Sequence, residues 1–521
     1  MWGSNARETH PIFFHRVLKA VHRGAQLYVV DPRRTGSAQW ARTWLGVNVG
    51  SDIALANAMA NVIISERLEN RSFIDHATTG FEAFSKSVAR CTPEYVENIS
   101  GVPADVIRSV ARAYATAPRA VICWTLGITE HHNAVDNVLA LINLALLTGH
   151  VGRYGSGVNP LRGQNNVQGG GDMGAIPDRL PGFQSLGDAS SREKFEQAWD
   201  ATIPAERGWR LNEMFEAMER GDMRALYVIG ENPVVSEADR NRAEHVLAGL
   251  DHIVVQDLSL TQTAQIAHVV LPAAAGWCES DGTVTNSERR VQRVRKIIEP
   301  PGEARDDLKI VCDLARLMGH DWGNPSAQEV WTEVRRLSPM HAGMSYERLE
   351  ENDGLRWPCY DENHPGEQFL HGRLWEKPLR GAPAPFHVVE YEPPVDELTA
   401  EYPLLLTTGR RLDSFNSGVQ SGEYTSPLRR GETIDLSPED AKRYQVSDGE
   451  PVRVASRRGS VELPVRIDET LRPGLAFMTF HFDVETNVLT IEANDPKSGT
   501  AEFKASAIRI EKIASPAHAG I

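Results

Sequence analysis

The chain's 521 residues are too many for one hydrophobic core and are expected to form roughly three domains. Its hydrophobic content of 41% and charged content of 24% are ordinary for a globular protein, whereas its net charge of −15 argues against nucleic acid or an anionic membrane surface as the main partner. No run of about 18 apolar residues occurs, so the sequence predicts no membrane span.

The chain begins inside a predicted turn with no strand before it, and we therefore expect it to be a truncated part of a larger subunit. No basic segment leads into an apolar one near Met1, so no signal peptide is expected. The cysteines are odd in number, scattered and without a Cys-x-x-Cys pair, which is typical of reduced thiols in a cytoplasmic protein. They are Cys91, Cys123, Cys278, Cys312 and Cys359.

Helices and short apolar strands alternate through residues 1–160, which predicts a first α/β domain with a parallel, doubly wound sheet. Its predicted helices are 11–24, 52–68, 103–117 and 133–147, and its predicted strands are 26–30 and 119–124.

Residues 161–330 repeat the same pattern, with strands at 224–229 and 252–256 and a helix over about 236–249. Asn5 precedes Asp31 by 26 residues, and Asn232 precedes Asp257 by 25. The sequence therefore predicts a second, pseudo-symmetric α/β domain of the dinucleotide-binding type.

Asp31, Asn232 and Asp257 follow predicted strands, and Asn5 lies in the turn that matches the one at Asn232. Ligands of open α/β sheets bind beyond the carboxyl ends of the strands. An Asp some 20–30 residues after a glycine turn commonly holds a ribose or a base. Two such units suggest two nucleotide-like groups or the two ends of one extended ligand. The alternative is that these residues only cap helices and turns.

One arginine, Arg162, lies in a segment of amides and glycines at 159–174. Its guanidinium is a planar fork of donors suited to a carboxylate or a phosphate, and the glycines allow close approach of the backbone to a ligand. The alternative is a mobile surface loop.

The remaining sequence changes in character twice. Residues 331–400 are rich in proline and tryptophan and are predicted to be an irregular connection. Short strands follow in 401–521, which predicts a small β-barrel, and Ser437 followed by Pro438 is a typical helix start.

These motifs resemble the molybdopterin oxidoreductase family, and within it the catalytic (alpha) subunits of formate dehydrogenases. The resemblance extends over essentially the whole chain. The segments that carry it include Gly3–Asn5, Val30–Arg33, Val158–Gln168, Asp172–Gly174, Gly230–Pro233, Val255–Asp257, His268–Pro272, Trp357–Cys359 and Leu406–Arg410.

The resemblance implies a pair of molybdopterin guanine dinucleotides that carry molybdenum or tungsten, one dinucleotide for each repeated unit. The first nucleotide site would comprise Gly3, Ser4, Asn5, Asp31, Arg33, Gly50 and Asp52. The second would comprise Gly230, Glu231, Asn232, Asp257 and Thr261. Gly127 and Gln164 would lie near a pterin. The barrel would contribute Thr408, Gly409, Arg410, Asn487 and Lys504.

The resemblance also implies the substrate, because Arg162 matches the arginine that holds formate. A bidentate guanidinium fixes both formate oxygens and so orients the C–H bond. Related oxyanion reductases lack the Arg-Gly-Gln-Asn-Asn pattern of 162–166, which favours formate. Electron-transfer subunits with iron–sulfur clusters or flavin are the implied partners.

This chain departs from the family in ways that limit the prediction. The metal-ligating cysteine or selenocysteine and the cysteines of a [4Fe–4S] cluster precede the matched region, so no residue here is a predicted metal ligand. We therefore expect the chain to be inactive alone. Leu412–Asn416 replaces a histidine-containing stretch. His131 and His132 are adjacent, and we expect them to project to different sides and to line the site at most.

Two other functions remain open from the sequence. The chain could be a non-catalytic molybdopterin-binding module, or a family member that acts on another oxyanion.

Overall fold

The computed structural model describes residues 1–416, 431–482 and 486–513. The described residues form two compact units. The first unit comprises Met1–Pro160, Val235–Ala243 and the described part of the chain from His371 onward. The second comprises Leu161–Val234 and Glu244–Leu370. Parts of the predicted barrel domain, at 417–430, 483–485 and 514–521, lie outside the described residues.

The first unit contains a parallel sheet to which the described residues contribute four strands and one bridging residue. Trp2 forms parallel bridges to Val30 on one side and to Trp124 on the other. In spatial order the strands are Thr43–Leu45, Tyr28–Val30, then Trp2, then Val121–Trp124 and Gly157–Pro160.

The order of these strands reverses at Trp2. The chain leaves Trp2 toward Tyr28–Val30 and Thr43–Leu45 and later returns to the other side of Trp2 through Val121–Trp124. Such a reversal is the point at which a doubly wound sheet opens a crevice beyond its strand ends. The predicted doubly wound sheet is confirmed.

Helices enclose the apolar side of this sheet. The helix Asp52–Ser65 is buried along most of its length and packs against Ala104–Thr116 and Ala134–Thr148. Its alanines allow these close neighbours, and its apolar residues on all sides are typical of an internal helix. The other helices are Ala6–Thr9, Pro11–His22, Arg71–Ala77, Phe81–Val88, Pro93–Ser100 and Leu126–Thr129.

The second unit contains a smaller parallel sheet with the strand order Val269–Pro272, His252–Asp257, Ala225–Ile229. A hairpin of Gly282–Thr285 and Arg290–Val294 extends to Leu355–Arg356 in a separate antiparallel sheet. The helices of this unit include Val167–Asp172, Ala189–Trp199, Leu211–Glu219, Gln262–Gln265 and Asp307–Leu317.

The helix predicted over about 236–249 is confirmed from Arg240 to Ala248, but its first residues are wrong. The chain forms two helices, Pro233–Ser236 and Arg240–Ala248. Asp239 lies between them with a φ of 49°, a left-handed conformation that a continuous helix cannot contain. Its carboxylate instead accepts a hydrogen bond from Arg242 N at 3.4 Å, near the start of the second helix.

The irregular structure predicted for 331–400 is wrong in its first part. The helix Ala327–Leu337 begins at a capping box of Ser326 and Glu329, and a further helix covers Tyr346–Glu351. Trp331 and its apolar neighbours form a small hydrophobic core there. The Ser-x-x-Glu pattern that starts this helix is visible in the sequence.

The predicted barrel is confirmed. In the described residues, six strands close in the order Leu404–Gly409, Leu475–Thr479, Ile434–Leu436, Ser460–Ile467, Pro451–Ala455 and Ser506–Lys512. The helix Pro438–Tyr444 begins as predicted, with Ser437 Oγ accepting from Asp440 N at 3.0 Å. Across the described ranges, no helix is long and apolar enough to cross a membrane.

Candidate functional site

A cleft opens in the first unit where the strand order of its parallel sheet reverses. Loops that follow the strands and the barrel strand Leu404–Gly409 line it together. Eleven of the predicted cofactor-binding residues belong to its lining: Gly3, Asn5, Asp31, Arg33, Gly50, Asp52, Gly127, Thr408, Gly409, Arg410 and Lys504.

Two glycines in the lining of this cleft pack against each other. Gly127 N donates to Gly3 O at 3.1 Å, and Gly3 has a φ of 52°. A Cβ on Gly127 would lie 2.4 Å from Gly3 O, so no side chain fits there. Backbone packing therefore requires glycine at this point, whatever ligand the cleft holds.

Two buried carboxylates face the cleft. Asp31 Oδ1 accepts from Arg33 N at 2.9 Å, and burial raises the pKa of Asp31 to about 6. Asp52 Oδ1 accepts from Trp2 Nε1 at 2.7 Å, and burial raises its pKa as well. Such carboxylates can accept hydrogen bonds from the N–H or O–H groups of a ligand.

Three cations lie around the same cleft. The Arg33 guanidinium lies 3.6 Å from the centre of the Phe477 ring. Lys504 is buried and forms an ion pair with Glu130, and burial lowers the pKa of its ammonium group. Arg410 completes the set. Arg33 and Arg410 are half-buried, and a cleft lined by three cations suits an anionic ligand.

The expectation that His131 and His132 project to different sides is wrong. Both rings face Glu502, with Nδ1 of His131 at 2.8 Å and Nδ1 of His132 at 3.0 Å from its two oxygens. Burial alone would raise the pKa of Glu502, but the bonds from the two imidazoles outweigh it and lower the pKa to about 2. The hydrogen bond between His132 and Glu502 also raises the pKa of His132.

The other predicted cofactor residues of the first unit lie outside the lining. Ser4 is buried, and its Oγ has no hydrogen-bond partner in the part of the chain that the structure describes. Asn487 Nδ2 donates to Val235 O at 2.9 Å and to Ser236 O at 3.2 Å. Asn487 therefore holds a helix end.

The two repeated units share one set of hydrogen bonds at their asparagines. In the first unit, Asn5 Oδ1 accepts from the backbone N and the Oγ of Ser37, both at 3.2 Å. In the second, Asn232 Oδ1 accepts from Thr263 N at 3.1 Å and Thr263 Oγ1 at 2.8 Å. Each asparagine thus ties its strand-end turn to the segment that follows the repeat's aspartate.

The aspartate of each repeat and the threonine four residues after it, Thr35 or Thr261, also make matching contacts. Asp31 binds the backbone N two residues later, and Asp257 Oδ1 accepts from Ser259 N at 3.1 Å in the same way. Thr35 Oγ1 accepts from Ala38 N at 3.3 Å, and Thr261 Oγ1 accepts from Ala264 N at 3.1 Å. These contacts are those of turn and cap residues, and their role toward a ligand stays a prediction.

The strand end of the second unit is more open than the cleft. Gly230 has a φ of 63°, donates its N–H to Gln256 O at 2.8 Å, and has no described atom within 4 Å of the place where a Cβ would stand. Glu231 is exposed beside it, and Asp257 is half-buried.

The segment around Arg162 is held by side chains of the second unit. Arg162 N donates to Ser287 Oγ at 3.0 Å, and Arg162 Nε donates to Gln168 Oε1 at 3.0 Å. Gln168 lies on the short helix Val167–Asp172, so the glycines at 169–171 are helical and the segment is not wholly a loop. Gln164 is exposed.

Comparisons with known proteins agree with this architecture. The family profile described as molybdopterin oxidoreductase matches residues 1–317, and that described as molydopterin dinucleotide binding domain matches residues 404–507. The chain belongs to the molybdopterin oxidoreductase family.

Curated relatives support the same assignment. The chain is 41% identical to the F420-dependent formate dehydrogenase subunit alpha of Methanocaldococcus jannaschii, over 98% of this chain and 76% of that protein. It is 36% identical to formate dehydrogenase H of Escherichia coli, over 99% of this chain and 72% of that protein.

Among solved structures, acetylene hydratase from Pelobacter acetylenicus matches with a TM-score of 0.73 at 20% identity, over 96% of this chain and 75% of that one. This likeness confirms the fold. The resemblance predicted from the sequence is confirmed by the family profiles.

The cleft of this molybdopterin oxidoreductase fits the cofactor class of its family. A molybdopterin dinucleotide carries a pyrophosphate, which suits Arg33, Arg410 and Lys504. It also carries ribose and base donors, which suit the Asp31 carboxylate. The residue types present therefore match the group.

Several residues of the cleft and the arginine segment escaped the sequence reasoning. Glu502 and Glu130 partner residues hundreds of positions away, so no local spacing reveals them. Asp172 and Trp357 lie in motifs that carried the family resemblance, but nothing in the sequence connects them to Arg162. In the structure, a chain of hydrogen bonds does.

Proposed function

We propose that the chain is the catalytic (alpha) subunit of a formate dehydrogenase. The observation that carries the proposal is Arg162, whose backbone N–H and Nε are both held by neighbouring side chains. A guanidinium fixed in this way suits a small carboxylate. Relatives at 41% and 36% identity are formate dehydrogenases, which supports the same substrate.

We assign the first dinucleotide to the cleft of the first unit. Its cations would hold the pyrophosphate, and Asp31 would accept from the base or the ribose. A second dinucleotide would use Gly230, Glu231, Asn232, Asp257 and Thr261. When bound, the molybdenum or tungsten centre of the cofactor supplies two-electron redox chemistry.

Arg162 has two tasks in the proposed reaction. It binds both formate oxygens and so directs the C–H bond away from the guanidinium. Formate oxidation breaks that C–H bond and yields neutral carbon dioxide, one proton and two electrons. Because the product has no charge, the guanidinium that binds the substrate anion does not retain it.

The electrons require an acceptor outside this chain. Relatives are described as alpha subunits, which supports partner subunits that accept the electrons. Iron–sulfur clusters or flavin in those subunits stay an expectation from the family resemblance. The five cysteines all lie in described residues and none forms a disulfide, which supports a reducing compartment such as the cytoplasm.

The test uses the protein purified from the organism that encodes it, with the subunits that copurify. We expect molybdenum or tungsten in the protein and reduction of a viologen dye that depends on formate. Nitrate and arsenite serve as control substrates. If the protein contains the metal but does not oxidise formate, the chain is a non-catalytic binding module. If it turns over another oxyanion and not formate, the assignment of formate as the substrate is wrong.

A further inference from the structure

A buried carboxylate of the second unit has no part in the proposed chemistry. Asp172 is only 1% exposed and ends the short helix Val167–Asp172. Its Oδ1 accepts from Gln168 Nε2 at 2.8 Å, and its Oδ2 accepts from Trp357 Nε1 at 2.8 Å. Burial raises the pKa of this carboxyl, so the structure keeps a costly group where both oxygens have neutral donors.

Asp172 determines which way the Gln168 amide points. A carboxylate only accepts hydrogen bonds, so the NH₂ group of Gln168 must face Asp172. The amide oxygen of Gln168 therefore faces Arg162 and accepts from Nε at 3.0 Å. With the opposite orientation, an NH₂ group would face the Nε–H and the two donors would repel each other.

The backbone beneath this chain of bonds is fixed independently. Arg162 N donates to Ser287 Oγ at 3.0 Å, and Thr285 N donates to Asn166 Oδ1 at 2.9 Å. Trp357 N donates to Arg289 O at 3.1 Å, and its ring lies 5.2 Å from the Arg289 guanidinium. The turn after Gly282–Thr285 thus holds the backbone of Arg162 at one end of the hydrogen-bonded series and that of Trp357 at the other. Asp172 and Gln168 connect these two ends.

We propose that Asp172 is a positioning residue that fixes, through Gln168, the orientation in which the Arg162 guanidinium binds the substrate carboxylate. The inference rests on the proposed function, because it assigns Arg162 to formate. It adds that Arg162 alone does not set the orientation of its guanidinium. That orientation also depends on the direction of the hydrogen bonds from Gln168 to Asp172 and from Arg162 to Gln168.

The first variant is Asp172→Asn, which keeps the size and removes one acceptor. Two donors, Gln168 Nε2 and Trp357 Nε1, then compete for one oxygen, and one of them faces an NH₂ group. We expect kcat/KM for formate to fall about tenfold, mainly through a rise in KM, because the guanidinium loses its fixed orientation. Metal and dinucleotide content should not change.

A reciprocal exchange separates positioning from mere folding. Gln168→Glu alone places two carboxylates where the amide and Asp172 now meet at 2.8 Å, and we expect a similar loss. In the double variant Gln168→Glu with Asp172→Asn, the carboxylate introduced at position 168 accepts from Arg162 and from the amide introduced at position 172, and the oxygen of that amide accepts from Trp357. We expect kcat/KM to return to within about threefold of the parent, since every donor again meets an acceptor.

A matched control lies elsewhere in the same unit. Glu333 Oε1 accepts from Trp199 Nε1 at 2.8 Å, the same type of bond at an exposed place. Glu333→Gln should leave formate kinetics unchanged.

The outcomes are distinguishable. If the parent protein does not oxidise formate, the proposed function fails. If the parent is active and Asp172→Asn keeps its KM, or if the double variant is no better than the single ones, the positioning role is overturned while the function stands.

Discussion

The two repeated turns have the same hydrogen bonds and different surroundings. Asn5 and Asn232 each accept two bonds from a hydroxyl residue six positions after the repeat's aspartate. In the first unit the turn is packed against Gly127 and surrounded by cations, whereas Gly230 in the second unit is open. The shared bonds maintain the turn in both repeats, whereas the packing and the charge around it differ between them.

The largest expected effect concerns packing at the two turns. Gly127→Ala would bring a Cβ to 2.4 Å from Gly3 O and should lower stability by about 3 kcal/mol. Gly230→Ala should cost only about 1 kcal/mol, for its positive φ. Urea unfolding of both variants measures the difference, and equal losses would contradict the contrast.

Asp31 makes the first turn sensitive to pH. Its pKa is about 6 in the folded chain against 3.8 as an ordinary value, so the folded state binds more protons between these values. Its contribution to stability is therefore complete below pH 3.8 and is lost as pH rises through 6, a change of about 3 kcal/mol. Asp31→Asn should abolish this loss. An identical pH profile for parent and variant, measured by urea unfolding, would show that Asp31 is not the cause.

Substitution of the two asparagines tests the hydrogen bonds that the two turns share. Asn5→Ala leaves the N–H and hydroxyl of Ser37 without their acceptor, and Asn232→Ala does the same to Thr263. We expect each to lower stability by about 1.5 kcal/mol. If Asn5→Ala reduced only cofactor content and left the unfolding midpoint unchanged, its role would be that of a ligand residue and not of a turn.

The role of the cations around the first turn can be tested at Arg33. Arg33→Met keeps an apolar chain against Phe477 and removes the charge, so we expect cofactor affinity to fall about tenfold, or about 1.4 kcal/mol. The exposed neighbour offers a control, Arg34→Met. Dinucleotide content after dialysis is the measurement, and equal content in both variants would remove Arg33 from the site.

Much of the fold follows from local sequence patterns. Alternating strands and helices predicted the doubly wound sheet, and the spacing of Asn and Asp revealed the repeat. The break at Asp239 depends on one positive φ, which no apolar pattern records. The helix after Ser326 had a visible capping signal that the surrounding prolines and tryptophans obscured.

The candidate site was less accessible to such reasoning. The spacing of Asn and Asp marked Asp31 as a strand-end residue, whereas the glycines of the cleft and Asp52 were predicted only from the family resemblance. The tertiary contacts of the site could not be predicted. Gly127 packs against Gly3, which lies 124 residues earlier, and Glu502 contacts two histidines some 370 residues earlier. Pairings of this kind are set by the fold and leave no local pattern.

The central claim is that Arg162 binds formate, and Arg162→Lys tests it most directly. Lysine keeps the charge and loses the planar fork. In the protein purified with its partner subunits, we predict that kcat/KM for formate falls by about a hundredfold while metal and dinucleotide content stay at the parent level. Unchanged formate kinetics in a variant with full cofactor content would contradict the account.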